Sequence, residues 1–170
     1  MAGGGREGGG VPGLPGDFFS RPAFLSLTIG IPFCTFKFLF GATALRLGSE
    51  GGMFPLAAAG TAVVAWAVAD LLMNAGKAVL DTLGREAPFE YCTLAQAGAI
   101  LGLPAVFLAA DTLFTFLIIC TMLWSGWIAL LPPAGTTAWY AATTLNLVSL
   151  SLVNLYAEAR RARQETAPPG

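Results

Sequence analysis

The chain has 170 residues, 55% of them hydrophobic and 11% charged, with a formal net charge of -1 and a mean hydropathy of +0.69. Soluble domains carry about 25% charged residues, so this composition suits a lipid bilayer, and at about 20 apolar residues per helical span it leaves room for roughly four or five spans and no separate soluble domain. The few basic residues are scattered, without the clustered face that displaces counterions from phosphates, which argues against nucleic acid as a partner.

The opening MAGGGREGGGVPGLPG has almost nothing to bury, so residues 1–19 read as a flexible tail. Ser20 is placed to cap a helix whose first turn tolerates Pro22, giving a first span over about 24–47. Ala42, Thr43 and Ala44 imitate a signal-peptidase site, but the apolar run before them is too long for a signal sequence and contains Lys37, so the segment is expected to be retained. Pro32 removes a backbone hydrogen bond and is expected to bend this helix. "GSEGGMFP" separates it from a second span at about 54–78, and "DTLGREAPFEYC" breaks the chain again.

Thr93 and Gln96 stand in capping-box spacing, which predicts a helix beginning at Leu94. From there to Leu131 no loop is evident. About 38 residues at 1.5 Å each reach roughly 57 Å, too far for one upright crossing of a core about 30 Å thick. Pro104 divides the run into a short interfacial or tilted helix over 94–103 and a third span at about 105–131. "LPPAGTTAWY" then makes a hairpin before a last span at about 137–156, and residues 158–170 form a short basic tail. The expected fold is an all-α integral membrane protein, with four transmembrane helices within residues 20–157 and the short helix before the third.

With four spans, Arg6, Arg21, Lys77, Arg85, Arg160, Arg161 and Arg163 share one side with both termini, and Arg46 alone lies opposite. The positive-inside rule puts the richer side in the cytoplasm or its equivalent. Two short spans turning near Asp111 would send the three C-terminal arginines outside, so a five-span arrangement is rejected. Trp124, Trp127, Trp139 and Tyr140 gather towards the opposite interface, where amphipathic rings settle.

Asp70, Asn74 and Lys77 recur at offsets of four and three in an otherwise apolar helix, on an arc shared with Trp66 and Ala67. A charge at mid-membrane costs about 2.5–3.5 kcal/mol, so this stripe is expected to face the bundle interior. Lys77 is close enough to the helix end to snorkel, with Asp81 as its i,i+4 partner. Asp70 and Asp111 fall at similar depths and Lys37 nearer the middle, which predicts a buried polar cluster of Lys37, Asp70, Asn74 and Asp111, with Asn146 and Asn154 of the last span above and below it. Two acids and one buried base leave one carboxylate to be neutral or hydrated. The cluster therefore has two uses: a salt bridge with amide hydrogen bonds that holds the helices in register, or a proton- or cation-responsive site.

Gly98 and Gly102 form a small-xxx-small pattern suited to helix packing, and the rings of "FCTFKFLF" at 33, 36, 38 and 40 encircle their helix instead of marking one face. Cys34, Cys92 and Cys120 include no C-x-x-C pair and read as apolar filler without a disulfide framework. The chain contains no histidine, which removes the commonest metal ligand, the usual axial haem ligand and the usual general base. It also lacks a Walker loop, zinc spacing and G-x-S-x-G. No metal site and no enzymatic activity are expected, and no cofactor is required, although a bound lipid, quinone or pigment is compatible with an aromatic-lined groove. The expected function is that of a non-catalytic accessory or structural subunit of a larger membrane complex, an energy-transducing one among the candidates, with lipid and other membrane proteins or further copies of itself as partners. The competing expectation is a small oligomeric proton- or cation-coupled transporter or channel that uses the intramembrane aspartates.

Overall fold

The computed structural model describes residues 21–165, and every regular element among them is helical. Helix α1 runs from Pro22 to Glu50, three residues past the expected end. Pro22 occupies its first turn and Arg21 provides no side-chain cap; Ser20 lies outside the described residues. The cap comes from elsewhere in the fold, because Asp81 Oδ2 accepts from the backbone N–H of Ala23 at 3.2 Å. Pro32 is accommodated by a specific device. The turn before it, Ser26–Gly30, is π-helical, and the Ile31 N–H bonds back to Ser26 C=O. Widening the helix by one residue there accommodates a ring that has no N–H to donate and would collide with the carbonyl four residues earlier.

Helix α2 spans Phe54–Thr82, α3 Thr93–Ile100 and α4 Pro104–Trp124. A 3₁₀ turn at Trp127–Leu130 leads to α5, Pro133–Glu165. Two sequence expectations are corrected here. The third apolar segment ends at Trp124 and not near 131, because Gly126 adopts a left-handed conformation (φ 72°) that ends the helix. The segment "LPPAGTTAWY" is not a hairpin loop: Pro133 sits in the first helical turn, where its missing N–H costs nothing, and the helix continues through Glu165 and so includes part of the expected tail.

Helix α1 is the hub. Its most extensive contact is with α2, and it also packs on α4 and α5, while α3 folds back on α4. Small residues permit the close α1–α2 approach: a Cβ added at Gly60 would lie 2.4 Å from Leu45 N, and one at Gly41 2.9 Å from Val64 N. The phenylalanines of α1 face different neighbours. Phe33 meets Phe116 edge-on at 5.7 Å, Phe36 meets Trp139 at 4.9 Å, Phe40 stacks on Trp127 at 5.6 Å, and Phe38 points outward. Phe33, Phe36 and Leu39 join Met122, Trp139 and Ala142 in the apolar core.

Three helices, Pro22–Glu50, Phe54–Thr82 and Pro104–Trp124, are long and apolar enough to cross a membrane. They fit a multi-pass integral membrane protein, and outward-facing Phe54, Leu72, Leu113 and Leu117 are compatible with lipid contact. Gly60→Leu is expected to destabilise the fold by about 1–3 kcal/mol through overpacking, whereas Gly52→Ala, at an open loop position with φ 66°, should act only through local backbone strain. Titration from mild detergent into SDS, followed by circular dichroism, would separate the two.

Candidate functional site

The stripe on α2 turns inward at Asp70 and Asn74, both buried, and meets Lys37 of α1. The Lys37 ammonium donates to Asp70 Oδ2 at 2.7 Å and to Asp111 Oδ1 of α4 at 2.6 Å. Its third side faces the Trp66 ring, whose centroid is 4.2 Å away. One cation thus engages two carboxylates from two other helices, and all three side chains are almost fully shielded. The acids do not share a proton-bridged pair with each other; both are directed at the lysine.

Asp70 also extends the cluster to α3. Its Oδ1 accepts from the Thr93 N–H at 2.7 Å and from the Thr93 hydroxyl at 2.8 Å. This is why the predicted capping box is absent and the helix starts one residue early. The Asp70 carboxyl takes both donors of Thr93. Cys92 becomes the N-cap, with its Sγ accepting from Ala95 N–H at 3.4 Å, and Gln96 Oε1 reaches back to Glu90 N–H instead of Thr93. Asn74 fastens the preceding loop: its amide nitrogen donates to Asp70 C=O at 3.0 Å and Tyr91 C=O at 2.9 Å. Its Oδ1 has no donor among the described residues and occupies the space that a side chain at residue 30 would fill, since a Cβ added to Gly30 would lie 2.0 Å from it.

Beside the cluster is a cavity of about 210 Å³. Leu25, Ile29 and Phe33 of α1 and Leu108 of α4 form much of its wall; Lys37, Asp70, Asn74 and Asp111 form its polar end, with Tyr91 and Cys92 from the loop. Burial pushes the Cys92 thiol up to about 11, against the opposing pull of the Ala95 N–H. Burial, and then the nearby Asp81 and Glu90 carboxylates, also raise the Tyr91 phenol.

The other singled-out residues are placed as follows. Lys77 and Asp81 do not pair. Lys77 Nζ lies 3.7 Å from the centroid of the Tyr91 ring, while Asp81 caps α1; each has a partner across the tertiary fold that competes with the local i,i+4 geometry. Asn146 is buried on α5 but makes no hydrogen bond to the cluster, does not line the cavity, and leaves Oδ1 without a donor among the described residues. Asn154 is exposed. Trp124 and Tyr140 are exposed, Trp127 is half-buried on Phe40, and Trp139 is a core residue and not part of a surface belt. Gly98 packs against Phe107, where an added Cβ would come within 2.6 Å. Gly102 instead lies past the helix end at φ 73°, where its N–H and that of Leu103 close α3 onto Ala99 and Gly98. Cys34, Cys92 and Cys120 are free thiols. Sequence reasoning missed the roles of Thr93, Tyr91 and Cys92, which depend on a contact 23 residues away in the chain that no local pattern announces.

Two outcomes test this arrangement. Lys37→Met leaves two buried carboxylates without a counter-ion and should cost about 3–5 kcal/mol, most of it recovered in the triple variant K37M/D70N/D111N; SDS unfolding monitored by circular dichroism measures both. In a variant with Cys34 and Cys120 replaced by alanine, maleimide labelling of Cys92 should be slow at pH 7 and accelerate about tenfold per pH unit towards 11, because only the thiolate reacts. A rate independent of pH would show that Cys92 lies outside this buried environment.

No protein-family model matches the chain, and no curated protein or solved structure matches it.

Proposed function

We propose that this protein is a non-catalytic integral membrane protein that serves as an accessory or structural subunit of a larger membrane assembly. The observation that carries this reading is the Lys37 bridge. The deepest charges are spent on joining α1 to α2 and α4, and through Thr93 to α3, while large apolar side chains cover much of the outside. Such a body is rigid inside and presents packing surface outside. The absence of histidine from the sequence supports a non-catalytic role.

In this reading the part of α5 over about 137–156 is the fourth span, and α3 lies at the membrane interface, closing the end of the bundle. The distribution of basic residues supports a cytoplasmic or equivalent side for both termini and the loop of residues 83–92. Two contacts mark opposite ends in the manner this topology requires: Asp81 with Ala23 at one, and Arg46 with the Leu130 carbonyl, at 2.7 Å, at the other. A second reading, an oligomeric proton- or cation-coupled transporter, is favoured by one feature: two carboxylates against one ammonium, next to a cavity.

Purification through a C-terminal tag in mild detergent, with native mass and subunit identification by mass spectrometry, tests the proposal. Stoichiometric foreign membrane subunits are expected. A lone homo-oligomer whose proton or cation flux in liposomes is abolished by Asp70→Asn or Asp111→Asn would replace this reading with the second.

A further inference from the structure

We infer that the cavity between α1, α2 and α4 is a binding site for a hydrophobic primary amine, held as its ammonium ion at the end formed by Asn74 and Asp111, with its apolar part along Ile29, Phe33 and Leu108. The inference is independent of the accessory role, since a subunit can hold a ligand without transporting it.

Three observations define the ligand. The first is size: apolar cavities of about 150 Å³ accept a benzene ring, so about 210 Å³ takes a ring with a short aminoalkyl arm. The second is charge. With Lys37, Asp70 and Asp111 all ionised the cluster carries one excess negative charge, and the other titratable groups facing the cavity, Cys34, Tyr91 and Cys92, add no positive charge. A cation restores neutrality in surroundings where an uncompensated charge is costly.

The third observation is donor and acceptor supply. Lys37 has committed two N–H groups to carboxylates and its remaining side to the Trp66 face, so it has nothing left for an anionic ligand. Asp70 Oδ1 is taken by Thr93. Both amide hydrogens of Asn74 are used on Asp70 and Tyr91 carbonyls, yet its buried Oδ1 has no donor among the described residues. The acceptor left without a donor at this end, among the described residues, is therefore Asn74 Oδ1, beside the Asp111 carboxylate. An ammonium group provides three donors, and the largely aliphatic and aromatic wall selects an amine with an apolar body over a hydrated inorganic cation.

Three probes of nearly equal shape test the assignment: 2-phenylethylamine, 2-phenylethanol and phenylacetate, titrated calorimetrically at pH 7 into the full chain in mild detergent, with detergent alone as the blank. The amine should bind saturably at one per chain, at least about tenfold more tightly than the alcohol, a difference of about 1.4 kcal/mol, and phenylacetate should not bind. In Asp111→Asn, which retains a hydrogen-bond acceptor for Lys37, the preference for amine over alcohol should fall to within about threefold, or roughly 0.7 kcal/mol. Thr112 of α4 also lines the cavity, and Thr112→Phe, which adds a ring there and leaves all three charges in place, should lose amine binding while keeping the wild-type circular dichroism spectrum. Equal binding of amine and alcohol to the wild type, binding of phenylacetate, no saturable binding of the amine, or amine binding that survives Thr112→Phe would each overturn the inference.

Discussion

One buried ammonium with two buried carboxylates is the constraint around which the rest of the structure is arranged. Each of these charges would be costly in a bilayer without a partner, and each sits on a different long helix. The chain can satisfy them only by bringing α1, α2 and α4 together at one depth, with α1 in the middle. Lys37 then behaves like a fastener with two catches: two hydrogen-bonded ion pairs at 2.7 and 2.6 Å and an aromatic face at its back. Breaking either pair leaves a charge stranded, so the arrangement specifies helix register more than it adds net stability.

The rest of α1 accommodates this central position. A hub helix must be apolar on nearly every side, which its ring of phenylalanines provides, and it must come close to α2, which Gly41 and Gly60 permit. Pro32 lies five residues before Lys37 and two residues after the last residue of the π-helical turn. That turn contacts both α2 and α5, and its last residue, Gly30, leaves the space that Asn74 Oδ1 occupies. The helix irregularity, the missing side chain and the unpartnered amide oxygen are thus three aspects of one local feature at the cavity edge. A straight helix carrying a larger residue at position 30 would close it.

The first two apolar helices were legible because hydropathy and Gly-rich breaks are local properties, and α1 and α2 start within two residues of where those signals place them. The buried cluster was legible for a different reason: an acid or base inside an apolar run has to find its complement, so Lys37, Asp70, Asn74 and Asp111 could be grouped without knowing their arrangement. Which helix stands between the others is a tertiary fact, and nothing countable in the sequence reveals that Lys37 meets both acids. Two of the errors share one cause. The Thr93 capping box and the Lys77–Asp81 pair rest on neighbours along one helix, and in each case a partner on another element took over: Asp70 for the first, and the Tyr91 ring with Ala23 for the second. Gly126 failed differently. One glycine in an apolar run is a weak breaker signal, and only its left-handed conformation shows that the helix stops there.

The charge imbalance of the cluster follows from its geometry. To hold two helices with one lysine, the fold needs a carboxylate on each of them, and a second cation would need another helix face that α1 does not have, since Phe33 and Phe36 already fill the adjoining positions against α4 and α5. Neutralising Asp111 would leave α4 attached to the hub through a neutral hydrogen bond and through apolar and aromatic contacts, which hold register less selectively than an ion pair in a hydrocarbon solvent. The pairing of two carboxylates with one ammonium is therefore the consequence of a three-helix lock with one key. Its location beside an apolar cavity is what gives the same residues both a structural role and a chemical preference for a cation.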